Sequence, residues 1–526
     1  MALGTARWTC TPYSVADAER LAQDLGVSLP LATVLVRRGL DSAEAARRYV
    51  AADERHDPFE FTGMAVACET ILAHVQASSP IVVHGDYDVD GVCSTAILVR
   101  ALRALGADPS WHIPARDDGY GVSTATVERL AAAGTRLILT ADCAITSVEE
   151  VARAHELGID VVVTDHHRPG ERLPDCPIVH PGVCGYPFAD LCAAGVAQKL
   201  SEALLRAAGA DPAIGAEEAD LVALATVADV VPLRGENRRL VRQGLRAIAR
   251  TSRPGLRALM AVAQVDPGAV DERSLAFRLA PRINAAGRLA RADLALELLL
   301  TEDPARAERI ADELDRINRE RQDVETRTLF AAEAARAEHA EAPAYVLAGE
   351  GWHPGVIGIV ASRMVERHHR PCVLIALDGD RGRGSVGVLG APPPLRRPPR
   401  RRRPRDRGGR GGRVPARIRP PRGGRTVAGG PRSNRAGGRR RGAGPARRAS
   451  RGGARAAAAL RAGEPRAHVP RTRSAGGRRA LDGRRQPALA VHDRRRGGTS
   501  EGGGVPDRSR LAAQLRRGAL RCRRSA

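Results

Sequence analysis

The chain has 526 residues and a formal net charge of +23. Its length allows two or three domains with cores of their own. It contains no run of about 18 apolar residues, which argues against a membrane-spanning helix, and its first residues lack the basic and apolar regions of a secretory signal. The nine cysteines match no zinc-binding pattern and fit reduced thiols in the cytoplasm.

The positive charge is concentrated in the last part of the chain. Residues 386–526 hold 41 arginines, no lysine and 6 acidic residues, and they contain no Phe, Tyr or Trp. Residues 1–385 carry 42 basic and 54 acidic side chains, a net charge of −12. The tail has too little apolar surface to offset the entropy lost on folding, so we expect it to be disordered.

Two interpretations of this tail stay open. A segment rich in arginine and glycine can bind nucleic acid through the phosphates, and the chain would then be a non-enzymatic nucleic-acid-binding protein. Alternatively, a GC-rich gene read in the wrong frame encodes mostly Arg, Gly, Pro and Ala. The abrupt change of composition after Ser385 and the absence of a regular repeat favour the frame error.

Helices and strands are predicted in a regular order over the first 385 residues. Residues 14–75 show helical periodicity, as in SVADAERLAQDLG. From residue 81, the apolar strands IVVHGD, RLILTAD and DVVVTDHH alternate with the helices GVCSTAILVRALRALG and SVEEVARAHELG. Two more helices follow, and a long charged helix begins near Pro304. Apolar strands joined by helices predict an α/β fold with a parallel sheet covered on both faces.

Acidic and imidazole side chains follow each of these strands and one of the later helices. In chain order they are Asp86, Asp88, Asp90, Asp142, Asp165, His166, His167 and Asp229. Open parallel sheets bind ligands beyond the carboxyl ends of their strands, so these groups meet on one rim. Carboxylates with a few imidazoles suit Mn²⁺ or Mg²⁺, and two such ions can activate a water and brace phosphoryl oxygens.

The first three carboxylates are crowded into five residues. If the strand continues through Asp86, Asp88 and Asp90, their side chains point to one side, where like charges repel unless protons or cations neutralise them. A solvated acidic turn is the alternative. A calcium-binding loop is excluded, because no glutamate stands at its twelfth position.

Several motifs resemble a known family. HGDYDVDG, TADCAI, TDHH and TVADVVPL are similar, in order and spacing, to the four phosphoesterase motifs of the DHH superfamily. YGVS, LAPRINAAGRL, RINRERQ and GWHPGVIGIVASR resemble the RecJ branch, the 5′→3′ exonucleases specific for single-stranded DNA. The resemblance covers about residues 20–385 and implies a metal-dependent exonuclease of DNA repair and recombination.

The resemblance also implies roles for single residues. The implied metal ligands are Asp86, Asp88, Asp90, Asp142, His166 and Asp229. Asp142 would bridge two ions, with manganese ranked before magnesium. His84 occupies the ligand-histidine position of the superfamily, but Asp86 can take that role in this branch, so both readings of His84 stay open.

Further roles concern catalysis and DNA. His167 would face the scissile phosphate, and Asp165 would orient the histidines. Contacts to DNA are implied for Arg282, Asn284 and Arg288, whose alternative role is a polar turn that caps the next helix.

The sequence departs from the family pattern at several places. Ala144 stands where glycine is usual, and His180 stands where an Asn-Pro pair usually begins. After Ser385 the Gly-Arg-Ser segment, the Gly-Gly-His motif and the OB-type module of the family do not appear, as a one-base deletion near codon 385 would cause. We therefore expect intact metal binding with weak or absent exonuclease activity. A phosphodiesterase for short oligonucleotides or cyclic dinucleotides is the alternative within the superfamily.

Together these features predict an α/β protein in five segments. They are an N-terminal helical segment (1–70), a parallel-sheet DHH phosphoesterase domain (71–260), a PRINAAGR segment with a connector helix (261–340), an incomplete second α/β domain similar to DHHA1 (341–385), and the disordered tail (386–526). We expect a cytoplasmic monomer that acts on single-stranded DNA. The resemblance adds a single-strand-binding protein or a helicase as partners.

Overall fold

The computed structural model describes residues 12–116, 119–211, 218–339, 341–378 and 381–387. The predicted disordered tail therefore lies outside the described residues, except for its first two positions. No helix in the described ranges is both long enough and apolar enough to cross a membrane.

The amino-terminal part consists of short helices, as the periodicity predicts. They are α1 (Val15–Leu25), α2 (Leu29–Arg37), α3 (Ala43–Ala51) and α4 (Met64–Gln76). The hydroxyls of Ser14 and Ser42 accept backbone N–H groups at the starts of α1 and α3. The first three helices share a small core around Leu21, Leu35 and Ala46.

Five parallel strands form the central sheet. They are β1 (Ile81–His84), β2 (Ser110–His112), β3 (Leu137–Thr140), β4 (Asp160–Thr164) and β5 (Ile178–Val179), in the order β2-β1-β3-β4-β5. The predicted parallel sheet is confirmed. Strands β2 and β5 were not predicted, because segments of three and two residues are too short to show a periodicity.

Among the described residues, three helices lie between strands of the sheet, and the next two follow its last strand. They are α5 (Val89–Ala104), α6 (Thr124–Ala132), α7 (Val148–Glu156), α8 (Ala193–Ala208) and α9 (Ala219–Ala228). The chain passes from β1 to β2 on one side and then returns to β3 on the other side of β1. This reversal opens a crevice at the carboxyl ends of β1 and β3, where open α/β sheets bind their ligands.

The remaining helices lead to a second, smaller sheet. They are α10 (Gly235–Ile248), α11 (Pro254–Val262), α12 (Ala280–Leu289), α13 (Asp293–Leu300) and α14 (Pro304–Ala337). The helix predicted from Pro304 is the longest of these, with 34 residues. A π-helical turn, Leu275–Leu279, precedes α12.

The second sheet has three strands and one covering helix. Its elements are β6 (Tyr345–Glu350), α15 (Pro354–His368), β7 (Cys372–Asp378) and β8 (Arg381–Gly387). β6 and β7 are parallel, whereas β8 runs antiparallel to β7. β8 ends at Gly387, two residues beyond the predicted boundary at 385, because Val386 and Gly387 stay in register with Val373 and Cys372.

Arginines of α10 hold the carboxyl end of α3. Arg238 Nε donates to the Tyr49 carbonyl at 2.7 Å, and Arg242 Nη1 donates to the carbonyls of Val50 and Ala51, both at 2.9 Å. The last carbonyls of a helix have no partner inside it. The arginines supply these partners and so attach the amino-terminal helices to the central domain.

The loop after β3 contains two residues with left-handed backbone. Asp142 has φ 68° and Ala144 has φ 83°. This conformation costs a residue with a Cβ about 1–2 kcal/mol relative to its usual conformations, and glycine adopts it freely. The backbone of Ala144 therefore favours glycine, the residue that the family resemblance leads us to expect at this position.

We expect Arg242→Ala to lower the free energy of unfolding by about 1 kcal/mol, since two carbonyls lose a charged donor. Chemical denaturation measures this value. Arg246→Ala on the same helix is the control, because Arg246 is exposed and no hydrogen bond of its side chain is found among the described residues. Equal effects of the two substitutions would show that the bonds to α3 contribute no stability.

We expect Ala144→Gly to change the stability by less than about 0.5 kcal/mol, because relief of the left-handed strain offsets the lost methyl burial and the added chain entropy. Ala141→Gly is the control, since Ala141 is also buried but has no positive φ. It should destabilise by about 1–2 kcal/mol. Equal losses at both positions would contradict the strain at Ala144.

Candidate metal centre

The carboxylates after β1 surround the start of a helix. β1 ends at His84, and Asp88 is the N-cap of α5: its Oδ1 accepts the backbone N–H groups of Asp90 and Gly91, both at 3.0 Å. The strand therefore does not continue through the three carboxylates. A capping aspartate starts a helix here, and the positive end of the helix dipole favours the negative charges.

Close packing brings the first turn of α5 against Asp86. A Cβ added at Gly91 would lie 2.6 Å from the backbone oxygen of Asp86, closer than real Cβ atoms approach. Glycine at this position therefore lets Asp86 and Asp88 share one side of the crevice.

Ligand atoms from separate loops converge at the carboxyl edge of the sheet. Within each of three groups, the atoms lie within 4.8 Å of one another. The groups are Asp86, Asp88 and Asp142; Asp90, His166 and Asp229; and Asp142, His166 and His167. Each of the six residues expected as metal ligands is in at least one group, and Asp142 is in two.

Three buried atoms in these groups have no hydrogen-bond partner among the described residues. They are Asp86 Oδ1, Asp142 Oδ1 and His166 Nε2. His166 Nε2 lies 3.2 Å from Asp142 Oδ1, but the two atoms do not have hydrogen-bond geometry. An unpaired buried polar atom costs about 1–3 kcal/mol. These atoms come from three loops, and Asp142 shares one ligand group with Asp86 and another with His166, an arrangement that fits bound cations.

Burial makes the charged form of these carboxylates unfavourable. It raises the pKa of Asp86 to about 7, with a further contribution from Asp88. It likewise raises the pKa of Asp229 to about 7, with Asp90 adding to the shift. The pKa of Asp142 also rises, first through burial and then through Asp90. The carboxylates repel each other, and bound cations would remove that repulsion.

Asp90 also stabilises the start of another helix. Its Oδ2 accepts the backbone N–H of Ala193 at 2.7 Å, and its Oδ1 accepts that of Ala194 at 2.8 Å. These groups belong to the first turn of α8, where Cys192 provides no side-chain cap. Asp90 thus fixes α8 against α5 while its Oδ2 lies 3.5 Å from His166 Nε2.

Asp165 holds the two histidines by hydrogen bonds. Its Oδ1 accepts the backbone N–H groups of His166 and His167 at 2.7 and 3.0 Å, and lies 2.8 Å from His167 Nδ1. Its Oδ2 accepts the N–H of Ile145 at 2.9 Å. Burial alone would raise the pKa of Asp165, but these bonds lower it. The carboxylate is therefore an acceptor, and His167 Nδ1 carries a proton.

Tyr120 completes the surroundings of His167 and was not assigned a role from the sequence. Its hydroxyl donates to the Asp142 carbonyl at 2.9 Å and lies 2.9 Å from His167 Nδ1. Its one proton is used by the carbonyl, so its oxygen accepts from Nδ1. With Nδ1 held by Tyr120 and Asp165, the other nitrogen of the partly exposed His167 ring is left for a substrate.

His84 lies beside the three groups rather than within them. Its ring is fully buried, with Nδ1 3.7 Å from the sulfur of Cys143 and the ring centroid 5.1 Å from that of His112. Burial, with His112, lowers its pKa to about 3, which keeps the ring neutral. In the part of the chain that the structure describes, His84 shares no ligand group with the carboxylates.

The PRINAAGR residues have different surroundings. Asn284 Oδ1 accepts the N–H of Val89 at 3.1 Å, at the start of α5. Arg288 donates to the Gly355 carbonyl at 2.9 Å. Arg282 instead binds Asp315 of α14 at 2.9 Å, so its side chain joins two helices. The structure thus brings Asn284 and Arg288, which contact the start of α5 and of α15, to the crevice side of α12.

Arg288 belongs to a group of three arginines, two of which the sequence analysis did not single out. Burial, together with the charges of Arg116 and Arg321, lowers the pKa of Arg288 to about 10. Arg116 lies over the Tyr87 ring at 4.2 Å, and Arg321 donates to Glu325 at 2.6 Å. Arg288 also interacts with the carboxylate of Asp88, and guanidinium groups near one another are suited to bind phosphate oxygens.

Comparison with known proteins gives the family. The model of the DHH family, N-terminal domain, matches residues 80–226. The single-stranded-DNA-specific exonuclease RecJ of Bacillus subtilis is 40% identical over 383 residues, which are 72% of this chain and 48% of that protein. The chain spans between about half and two thirds of the length of the curated relatives it matches.

Solved structures agree with this match. A crystal structure of exonuclease RecJ bound to manganese has 43% identity and a TM-score of 0.57, over 62% of this chain and 82% of that one. RecJ of Thermus thermophilus in complex with Mn²⁺ has 37% identity and a TM-score of 0.62, over 73% of this chain and 55% of that one. The chain therefore belongs to the DHH family, in its RecJ branch.

Proposed function

We infer that this chain binds divalent cations at the carboxyl edge of the central sheet and hydrolyses single-stranded DNA from a 5′ end. The observation that carries the inference is the set of buried atoms Asp86 Oδ1, Asp142 Oδ1 and His166 Nε2, which have no hydrogen-bond partner among the described residues, together with the ligand groups in which Asp142 meets each of the other two residues. The solved RecJ structures of this branch contain Mn²⁺ or Mg²⁺, and both ions prefer such oxygen and imidazole ligands.

The proposed ligands form two sets, and Asp142 would serve both, because it also shares a ligand group with His166. Asp86, Asp88 and Asp142 would hold one ion, and Asp90, His166 and Asp229 a second, with Asp142 next to both. When bound, such ions supply the positive charge that lets a water attack at neutral pH and that stabilises the phosphoryl oxygens. Asp90 can take part through a free lone pair, since each of its oxygens accepts only one backbone N–H.

The protein's own groups would orient the DNA and move the proton. Asp165 and Tyr120 hold Nδ1 of His167, so its Nε2 can donate to a phosphate oxygen or to the departing oxygen. The hydrogen bond to Asp165 raises the pKa of His167 and so favours the form that donates. Arg116, Arg288 and Arg321 would bind phosphates, which carry no base information, so little sequence preference is expected.

Further expectations concern the cellular compartment, the oligomeric state, the partners and the alternative substrate. The seven cysteines within the described ranges are free thiols, which supports a reducing compartment such as the cytoplasm. The monomeric state and a single-strand-binding protein or helicase as partners stay predictions. No observation favours the phosphodiesterase for short oligonucleotides, so we keep it as an outcome of the test below.

The full chain with Mn²⁺ should digest 5′-labelled single-stranded DNA, at the low rate that the sequence predicts, and leave blunt duplex DNA largely intact, and a chelator should stop the reaction. The release of label over time measures both rates. Equal digestion of the two substrates would contradict the proposed substrate. A dinucleotide cleaved much faster than a long single strand would instead favour the phosphodiesterase.

Asp142→Asn should abolish cleavage and weaken Mn²⁺ binding by at least about tenfold, because a ligand shared by both sets loses its charge. Without metal, the variant should be as stable as the native chain or more stable, since one repelling carboxylate is gone. Added Mn²⁺ should raise the unfolding temperature of the native chain, as any ligand of the folded state does, and not that of the variant. A variant that cleaves at the native rate would refute the metal centre.

Arg288→Gln should raise the KM for single-stranded DNA about tenfold, because one charged hydrogen bond to a phosphate is lost. Mn²⁺ affinity should not change, because Arg288 is not among the proposed ligands. Arg291→Gln is the matched control: Arg291 follows closely in sequence but is exposed and pairs with Asp293. If both substitutions raise KM equally, the effect is only one of net charge.

A further inference from the structure

His180 is a buried histidine outside the metal centre. It directly follows β5, whose Val179 pairs with Thr164 at the end of β4. Its side chain is only 4% exposed. It is therefore next to the segment that contains Asp165, His166 and His167, although it shares no ligand group with them among the described residues.

Both ring nitrogens of His180 have backbone partners. Nδ1 accepts the N–H groups of Gly182 and Val183, at 3.0 and 3.2 Å. A nitrogen that accepts two N–H groups carries no proton, so the proton of the neutral ring is on Nε2. Nε2 then donates to the carbonyl of His167, at 2.7 Å. The network thus fixes both the tautomer and the orientation of the ring.

Asp165 and His180 hold the same segment from opposite ends. Asp165 accepts the backbone N–H groups of His166 and His167, whereas His180 donates to the carbonyl that follows them. Residues 166 and 167 carry the imidazoles that meet Asp142 and Asp90. With both ends of this segment bonded, the backbone that carries the two imidazoles cannot shift without breaking a hydrogen bond.

We propose that His180 is a positioning residue. Its Nε2–H holds the His166–His167 segment in place, and its Nδ1 binds the turn at Gly182 and Val183 and so fixes the orientation of the ring. This role rests on the proposed metal centre. His180 does not touch the metal ligands through its ring, and it acts only through the backbone of His167. Partners of this kind commonly change metal affinity or activity by about 10–100-fold when they are removed.

Two substitutions separate hydrogen bonding from packing. Phe fills the space of the imidazole ring but can neither donate nor accept, whereas Asn is smaller but combines an acceptor and a donor. We expect His180→Phe to lower Mn²⁺ affinity and kcat by about 10–100-fold with little change in KM. We expect His180→Asn to stay within about threefold of the native values. Calorimetry with Mn²⁺ alone and steady-state digestion of single-stranded DNA by the full chain measure these quantities.

The control is a histidine at the opposite end of β4. His74 of α4 lies with Nε2 2.9 Å from Asp160 Oδ2, and His74→Phe should change neither Mn²⁺ affinity nor kcat. All rates are compared well below the lowest unfolding temperature of the set. If His180→Phe performs as well as His180→Asn, or if Asn is as poor as Phe, His180 does not position the segment through hydrogen bonds.

The tautomer gives a test that needs neither DNA nor metal. Nitrogen-15 spectra of the full chain labelled at histidine should show His180 neutral, with its proton on Nε2, and a proton on Nδ1 would overturn the proposal. If the native chain neither binds Mn²⁺ nor cleaves DNA, the proposed function fails, and this spectrum still decides whether His180 holds the His167 carbonyl.

Discussion

Repulsion among buried carboxylates is the constraint on which the rest of this structure depends. Asp86, Asp90 and Asp142 are almost fully buried at one edge of the central sheet, where isolated negative charges are unfavourable. Backbone N–H groups at the start of α8 neutralise part of this charge at Asp90, and those at the start of α5 bind the neighbouring Asp88. Asp142 Oδ1 and Asp86 Oδ1 receive no such donor in the described structure, and there the remaining charge is left for cations.

One helix connects this centre with the arginines that would bind DNA. α12 approaches the loop before α5 so closely that a Cβ at Gly287 would lie 2.3 Å from the Tyr87 carbonyl. From the same helix, Asn284 accepts a backbone N–H of α5 and Arg288 donates to a carbonyl at the start of α15. A shift of α12 would therefore move the metal-binding loop and the phosphate-binding side chains together. Their positions relative to each other would stay the same.

The sequence was sufficient to predict features that recur along the chain or that several loops have in common. Apolar runs revealed β1, β3 and β4, and the carboxylates at their ends are close together as expected. It was insufficient where the structure depends on single contacts between distant segments. Asp88 is the N-cap of α5, so a helix begins directly after it. A period-two pattern cannot show this start. Arg116 and Arg321 resemble other surface arginines until folding places them beside Arg288. Arg282 belongs to the same motif as Arg288, yet its partner is Asp315 of α14.

Backbone strain indicates how the centre keeps its shape before any cation arrives. Three of the described residues at or beside the centre, Asp142, Ala144 and Val230, have left-handed backbone, with φ of 68°, 83° and 61°. The first is a proposed ligand, and the last directly follows the proposed ligand Asp229. A β-branched residue such as Val230 rarely adopts this conformation. Local preference therefore does not set the positions of these carboxylates. Around the buried Asp142 and Ala144, the surrounding structure imposes the conformation, so the geometry of this loop exists in the folded protein and a cation need not create it.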